Sequence, residues 1–133
     1  MSNQFILSEN IEREHLDWGV RGWHSLPSFT GAKDLAICEV ELMPGFGHGF
    51  HVHENQEEVC YVLSGEIEQW LGTEKKILKA GDSAFIGRGV VHASYNVSDK
   101  PVKTLAILGP CFGENGYDLV ELAEEEPWVS LRK

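Results

Sequence analysis

Positive charge is scarce in this chain. Lysine and arginine number 11 against 21 aspartates and glutamates, giving a formal net charge of −10 with histidine neutral. Such a surface repels phosphate backbones and anionic headgroups, so no nucleic acid and no membrane is expected as a partner. Cysteine is also sparse. Cys38, Cys60 and Cys111 are odd in number and show no Cys-x-x-Cys spacing. They read as reduced buried thiols rather than a disulfide framework or a zinc knot. No apolar run approaches the roughly 20 residues that a membrane helix needs. The opening stretch MSNQFILSEN lacks a basic region followed by a long apolar core, so a secretory signal is not expected and the cytoplasm is. There is no G-x-S-x-G elbow and no P-loop. GFGHGF contains G-x-G, but no helix is expected after it, so a dinucleotide site is excluded.

What is present is a strand-rich domain. At 133 residues and 42% hydrophobic composition, the chain fits one domain with its own core. Residues 35–109 carry the legible pattern. In LAICEVELM, Glu39 and Glu41 alternate with Cys38, Val40 and Leu42. A strand from Phe50 to His53, another from Glu57 to Leu63, then GEIEQWL, KKILK, SAFIG, HASYNV and VKTLAILG follow, separated by glycine turns. Many short strands at this spacing indicate an all-β sandwich or barrel. In GEIEQWL, Ile67, Gln69 and Leu71 share one face and Trp70 the other, which would suit a partner-facing surface. Residues 1–34 are less regular. Either a helix starts with Ser8 as its N-cap, or the segment is an arm wrapping the domain, pinned by Trp18 and Trp23. Residues 110–133 read as a C-terminal extension, a short helical turn or an extended tail, with the acidic run Glu124 to Glu126 solvated.

The chemistry concentrates between Gly45 and Gly65. His51 and His53 are one residue apart, so on a strand both imidazoles point to one face and Val52 to the other. Glu57 and Glu58 follow and face opposite ways, so only one can meet the histidines. If the two strands pair, two imidazoles and a carboxylate can close around a metal ion. A second segment, GDSAFIGRGVVHASYN, supplies His92.

Together these two segments resemble the cupin superfamily. Its first motif, G-x5-H-x-H-x3,4-E-x6-G, is matched by Gly45, His51, His53, Glu58 and Gly65. Its second, G-x5-P-x-G-x2-H-x3-N, is matched by Gly81, Gly89, His92 and Asn96, with Gly87 where proline is usual. The resemblance covers about residues 35–109. It implies a double-stranded β-helix, or jelly-roll barrel, with an N-terminal arm and a C-terminal tail. It implies His51, His53, Glu58 and His92 as ligands to one divalent transition metal ion: Fe, Mn, Ni, Co, Cu or Zn. The spacing to Gly65 favours Glu58 over Glu57. Three neutral imidazoles and one carboxylate suit such ions, and an octahedral ion keeps two positions open.

Around the expected ligands stand weaker catalytic candidates. Glu57 is a candidate base. His48 is either a proton shuttle at the mouth or an exposed histidine in a glycine loop. Gln69 either bonds a ligand or bound water, or packs as a satisfied amide. Cys60 either approaches the metal or fills the core. Asn96 is expected to tie a turn, and Tyr61 and Tyr95 to point away from the ligands. The expected function is a metal-dependent enzyme of dioxygenase type acting on a small organic molecule inside the barrel. Isomerase or lyase chemistry and a non-catalytic binding module are the alternatives. A homodimer is expected.

Overall fold

The computed structural model describes residues 4–132. Its strands are β1 (Arg13–Leu16), β2 (Gly19–Ser25), β3 (Ala36–Leu42), β4 (Gly47–Val52), β5 (Glu57–Ser64) and β6 (Glu66–Leu71). They continue with β7 (Glu74–Lys79), β8 (Ser83–Ile86), β9 (His92–Tyr95), β10 (Val102–Gly109) and β11 (Val120–Glu121). One four-residue helix, α1 (Pro27–Thr30), joins β2 to β3. Among the described residues no helix is long and apolar enough to cross a membrane.

Two antiparallel sheets face each other. The larger has the order β1-β2-β3-β10-β5-β8 and the smaller β11-β4-β9-β6-β7. This is the jelly-roll expected from the strand pattern. Alternation decides which side chains meet between the sheets. Leu42, Cys60, Val62, Ile67, Ile86 and Val102 form a buried cluster there. Gly65 makes the β5–β6 turn with φ +80, a left-handed conformation natural to glycine. At Gly19 a Cβ would collide with the Glu41 carbonyl, so a side chain there would push β2 off β3.

The structure departs from the sequence reading at three places. The helix at Ser8 does not form. Only a 3-10 turn, Ser8–Asn10, occurs there, and the Ser8 hydroxyl and carbonyl accept bonds from Arg13 instead of capping a helix. The following residues form the β1–β2 hairpin, which extends the larger sheet. The weak helical periodicity of REHLDWGVRGWHS is thus the signature of two strands, with Gly19 permitting the close pairing.

The second departure is His48. The glycine-rich GHGF is strand, not loop, and His48 pairs with Ser94 across β4 and β9.

The third is Trp70. It is on the outer face of its sheet as expected, but it is only 4% exposed and offers no free surface. Phe50, Trp70 and Ala93 make a second buried cluster, covered by Trp128 and Leu131 of the chain's own C-terminal segment. Arg132 adds its guanidinium over the Tyr95 ring at 3.6 Å. An apolar patch on this small sheet is removed from water by the tail rather than by a second molecule.

Candidate metal centre

Three strands and one loop bring four side chains to one point. His51 on β4 is the direct cross-strand neighbour of His92 on β9. His53 follows the end of β4, and Glu58 comes from β5 in the opposite sheet, so the cluster closes across the barrel and not, as the sequence reading expected, through pairing of these two strands. One ligand atom from each of His51, His53, Glu58 and His92 lies within 4.8 Å of all the others. All four residues are buried, none more than 8% exposed.

Each imidazole is fixed by a backbone carbonyl. His51 Nδ1 lies 2.7 Å from the Gly49 carbonyl, His53 Nδ1 2.7 Å from that of Asp118, and His92 Nδ1 3.0 Å from that of Val90. A carbonyl only accepts, so each Nδ1 carries the proton and donates. Each Nε2 then presents a bare lone pair to the centre. Glu58 Oε1 stands 3.2 Å from Nε2 of both His53 and His92. Yet Glu58 Oε1 and His92 Nε2 are buried without a hydrogen-bond partner. Acceptors facing acceptors in a dry site repel one another unless a cation or a proton sits between them. The donor set therefore fits a divalent transition ion: three imidazole nitrogens and one carboxylate oxygen, with outer-sphere carbonyls already in place.

Without an ion, a proton on His53 beside Glu58 is the cation that takes its place. Burial would raise the Glu58 carboxyl, but the adjacent His53 and His92 hold it well below the usual carboxylate range. Burial would lower His53, but Glu58 and the Asp118 carbonyl raise it above the ordinary histidine value. Burial, with His48 and His92 nearby, pushes His51 down to about 2. A pH prediction follows. Below the free-histidine value of 6.5 the unfolded chain protonates His51 while the folded chain does not, so stability is lost as pH falls through 6.5. Glu58, also depressed, adds a loss of the same sign below 4.5. His53 opposes them: its contribution is present below 6.5 and disappears as pH rises through its raised value. The much larger His51 shift decides the sign. Calorimetry of metal-free protein should show Tm falling from pH 6.5 to pH 4.5. Added metal should bind more weakly over that range, because the His53 proton competes with it.

The other candidates are placed as follows. Glu57 points to solvent and faces Arg88 at 3.9 Å. Cys60 lines the cavity wall, and burial pushes its thiol up to about 12, so it is no nucleophile near neutral pH. Gln69 accepts from the Ser94 hydroxyl at 2.6 Å and donates to the Trp70 carbonyl at 3.2 Å. It is a satisfied amide behind Ser94, which itself lines the cavity. His48 stacks on His51 with ring centroids 3.8 Å apart and planes 11° apart, and its Nε2 meets Glu121 at 3.4 Å. Asn96 donates to the Leu42 and Lys100 carbonyls and accepts from Ser98, tying the turn after β9. The two histidines of the N-terminal hairpin stand apart from the site: His24 bonds Glu39 at 3.2 Å, His15 is exposed on β1, and neither lines the cavity.

Several site residues were not marked by any sequence pattern. The Asp118 carbonyl that orients His53 belongs to the C-terminal extension. Tyr117 packs against His53 and Trp23, with ring centroids at 5.4 and 4.9 Å. Trp18, Arg21 and Trp23 of the N-terminal segment line the cavity too, so the two tryptophans are walls of the site rather than mere anchors. Gln56, 1% exposed, latches the extension down. Its Nε2 donates to the Pro110 and Gly116 carbonyls at 2.9 and 3.1 Å, and its Oε1 accepts from the Asp118 N–H at 3.2 Å. Only its position between His53 and Glu58 could have drawn attention to it. The cavity is about 60 Å³. That is space for only a few waters.

Fold and site together define a two-sheet β-barrel with a buried three-histidine, one-carboxylate cluster open to a small internal cavity. The chain belongs to the cupin family: the Cupin domain pattern matches residues 38–108, more than half of the chain. An oxalate-binding protein of Thermotoga maritima is 32% identical over 76 residues, 57% of this chain and 63% of that one. Quercetin 2,3-dioxygenase of Escherichia coli is 30% identical over 100 residues, 65% of this chain and 43% of that one. The matched stretch thus spans between 43% and 63% of the length of these relatives. An RmlC-like cupin from Shewanella frigidimarina superposes with a TM-score of 0.70 at 25% identity, covering 82% of this chain and 92% of the other. The family match ends at residue 108, before Tyr117, Asp118 and Glu121.

Proposed function

We infer that His51, His53, Glu58 and His92 hold one divalent transition metal ion, and that the protein is a metal-dependent enzyme of dioxygenase type acting on a small organic molecule. The observation that carries this reading is the convergence of three imidazole Nε2 atoms, their Nδ1 atoms held by carbonyls, on a buried, otherwise unpartnered carboxylate oxygen. When bound there, such an ion would supply Lewis acidity, and a redox-active one would supply electrons. The chain's own residues do the rest. The backbone carbonyls orient the imidazoles. Trp18, Trp23 and Tyr117 wall the cavity and limit water. The cavity size favours a compact chelating molecule over a flavonol. The names of the two relatives, one a dioxygenase and one a binder of oxalate, support small-molecule chemistry at this centre.

His48 favours a second reading. It sits in the cavity wall and bonds the exposed Glu121, a pair suited to moving a proton between cavity and solvent. That arrangement supports isomerase or lyase chemistry without oxygen. The cytoplasm remains the expected compartment. The exposed Tyr61, Leu63 and Phe85 on the outer face of the larger sheet support pairing with a second copy there.

Oxygen consumption separates the chemistries. Fe(II)-loaded protein should consume oxygen only when a small chelating acid or enediol from a screened panel is present, and His51→Ala should abolish the uptake. Turnover of the same compound at an equal rate under argon would replace the dioxygenase reading with the proton-transfer one.

A further inference from the structure

Arg21 lines the small metal cavity with only one edge of its guanidinium paired, and the other edge is free to take an anionic partner. Arg21 lies on β2, where it alternates with Gly22 and shares its face with Trp23. Among the described residues lining the metal cavity it is the only permanent cation. A continuous wall connects it to the metal cluster. The Tyr117 ring lies 5.4 Å from His53 and 4.9 Å from Trp23, and the Arg21 guanidinium carbon lies 5.8 Å from the Trp23 ring.

Glu14 on β1 grips one edge of the guanidinium. Its two oxygens take Nε at 3.2 Å and Nη2 at 3.1 Å. Nη1 keeps no protein partner among the described residues. The two partners differ in exposure: the Arg21 side chain is 25% exposed and that of Glu14 48%. Water therefore screens the carboxylate more than the guanidinium. A planar fork held along one edge is pre-organised to donate from the other.

Building on the metal reading above, we propose that Arg21 is the anion-recognising residue of this cavity, and that the ligand is a small organic acid. One end of that acid chelates the metal ion, and a second carboxylate or other anionic group pairs with Arg21 Nη1. The residue lies on the N-terminal hairpin, outside residues 38–108 that match the family. The cavity of about 60 Å³ holds only the chelating end of such an acid, and its distal group lies at the mouth beside the partly exposed Arg21.

The test compares malate with its 4-amide on Mn(II)-loaded protein. Both carry the same α-hydroxy-carboxylate chelating end and have nearly the same size, but only malate carries the distal charge. Calorimetry gives the affinities, and the Mn(II) EPR spectrum reports whether each probe reaches the ion. Malate should bind at least about tenfold more tightly than the amide, the scale of one charge-assisted hydrogen bond. R21Q should erase that preference while both probes still perturb the EPR spectrum. E14Q, which removes the cross-strand partner and keeps the cation, should retain the preference. R21K, which keeps the charge, should retain part of it and controls for loss of folding. A preference unchanged in R21Q, or lost equally in E14Q and R21Q, overturns the role of Arg21 and leaves a structural hairpin pair. Equal affinities in the unaltered protein overturn it as well, with the metal reading intact. An EPR spectrum that neither probe changes overturns both.

Discussion

Glu58→Gln should strip the protein of its metal, whereas Glu57→Gln, one residue away, should leave the metal content unchanged. The two carboxylates are adjacent in sequence and opposite in space. Glu58 is the single negative donor among four buried groups, and its Oε1 is 3.2 Å from two imidazole nitrogens. An amide there removes the charge that offsets the ion. It also leaves a buried NH₂ group among histidines whose Nδ1 protons are committed to carbonyls. Loss of an outer-sphere partner alone typically costs about 10–100-fold in metal affinity. Loss of the carboxylate ligand should exceed that. Glu57 makes only an exposed 3.9 Å contact with Arg88, of a kind worth roughly 0–1 kcal/mol in stability and nothing to the site. Metal titrations of both variants, with a chelator in competition, measure the contrast. Equal affinities would show that the carboxylate is not a ligand.

Gln56→Leu should destabilise the protein and loosen its grip on metal together. The substitution keeps the approximate volume and deletes one buried and two part-buried hydrogen bonds, taking the Gln56 partner from the Pro110 and Gly116 carbonyls and the Asp118 N–H. A buried group left orphaned costs about 1–3 kcal/mol and a partly exposed one less, so urea unfolding of the metal-free variant should show a loss of about 2 kcal/mol or more. Those groups anchor the segment whose Asp118 carbonyl orients His53. Freed, His53 can rotate or change tautomer, and metal affinity should drop by about the 10–100-fold of a lost outer-sphere partner. A stability change under about 1 kcal/mol would mean that water replaces the amide and that Gln56 is no latch.

The barrel and the converging cluster were largely legible from residue order. Strand alternation carries its own signal: the buried side of β3 and the inward His51 and His53 repeat every second residue. Glycines with positive φ, such as Gly65, mark the turns. What was not legible depends on backbone groups and on distant chain segments. The carbonyl of Asp118 has no sequence signature, because every residue has one. Tyr117 and Arg21 enter the site only because β11 pairs with β4 and β2 pairs with β3. Gln56 looks like any polar loop residue until its three partners are seen. His48 reads as a loop residue because a glycine-rich run suggests a loop, although glycine is tolerated in a strand where a neighbouring backbone comes close. Gly47 is such a case, with the Ser94 carbonyl and the Tyr95 backbone against it. Trp70 was misjudged because alternation says which way a side chain points, but not that residues 128–132 return to cover it.

The central claim is that four side chains from both sheets hold one ion. Anomalous diffraction from crystals grown with Mn(II) tests it most directly. One strong peak is expected inside the barrel, bonded to Nε2 of His51, His53 and His92 and to a Glu58 carboxylate oxygen. No peak there, or a peak bound by exposed acidic side chains instead, would contradict the account.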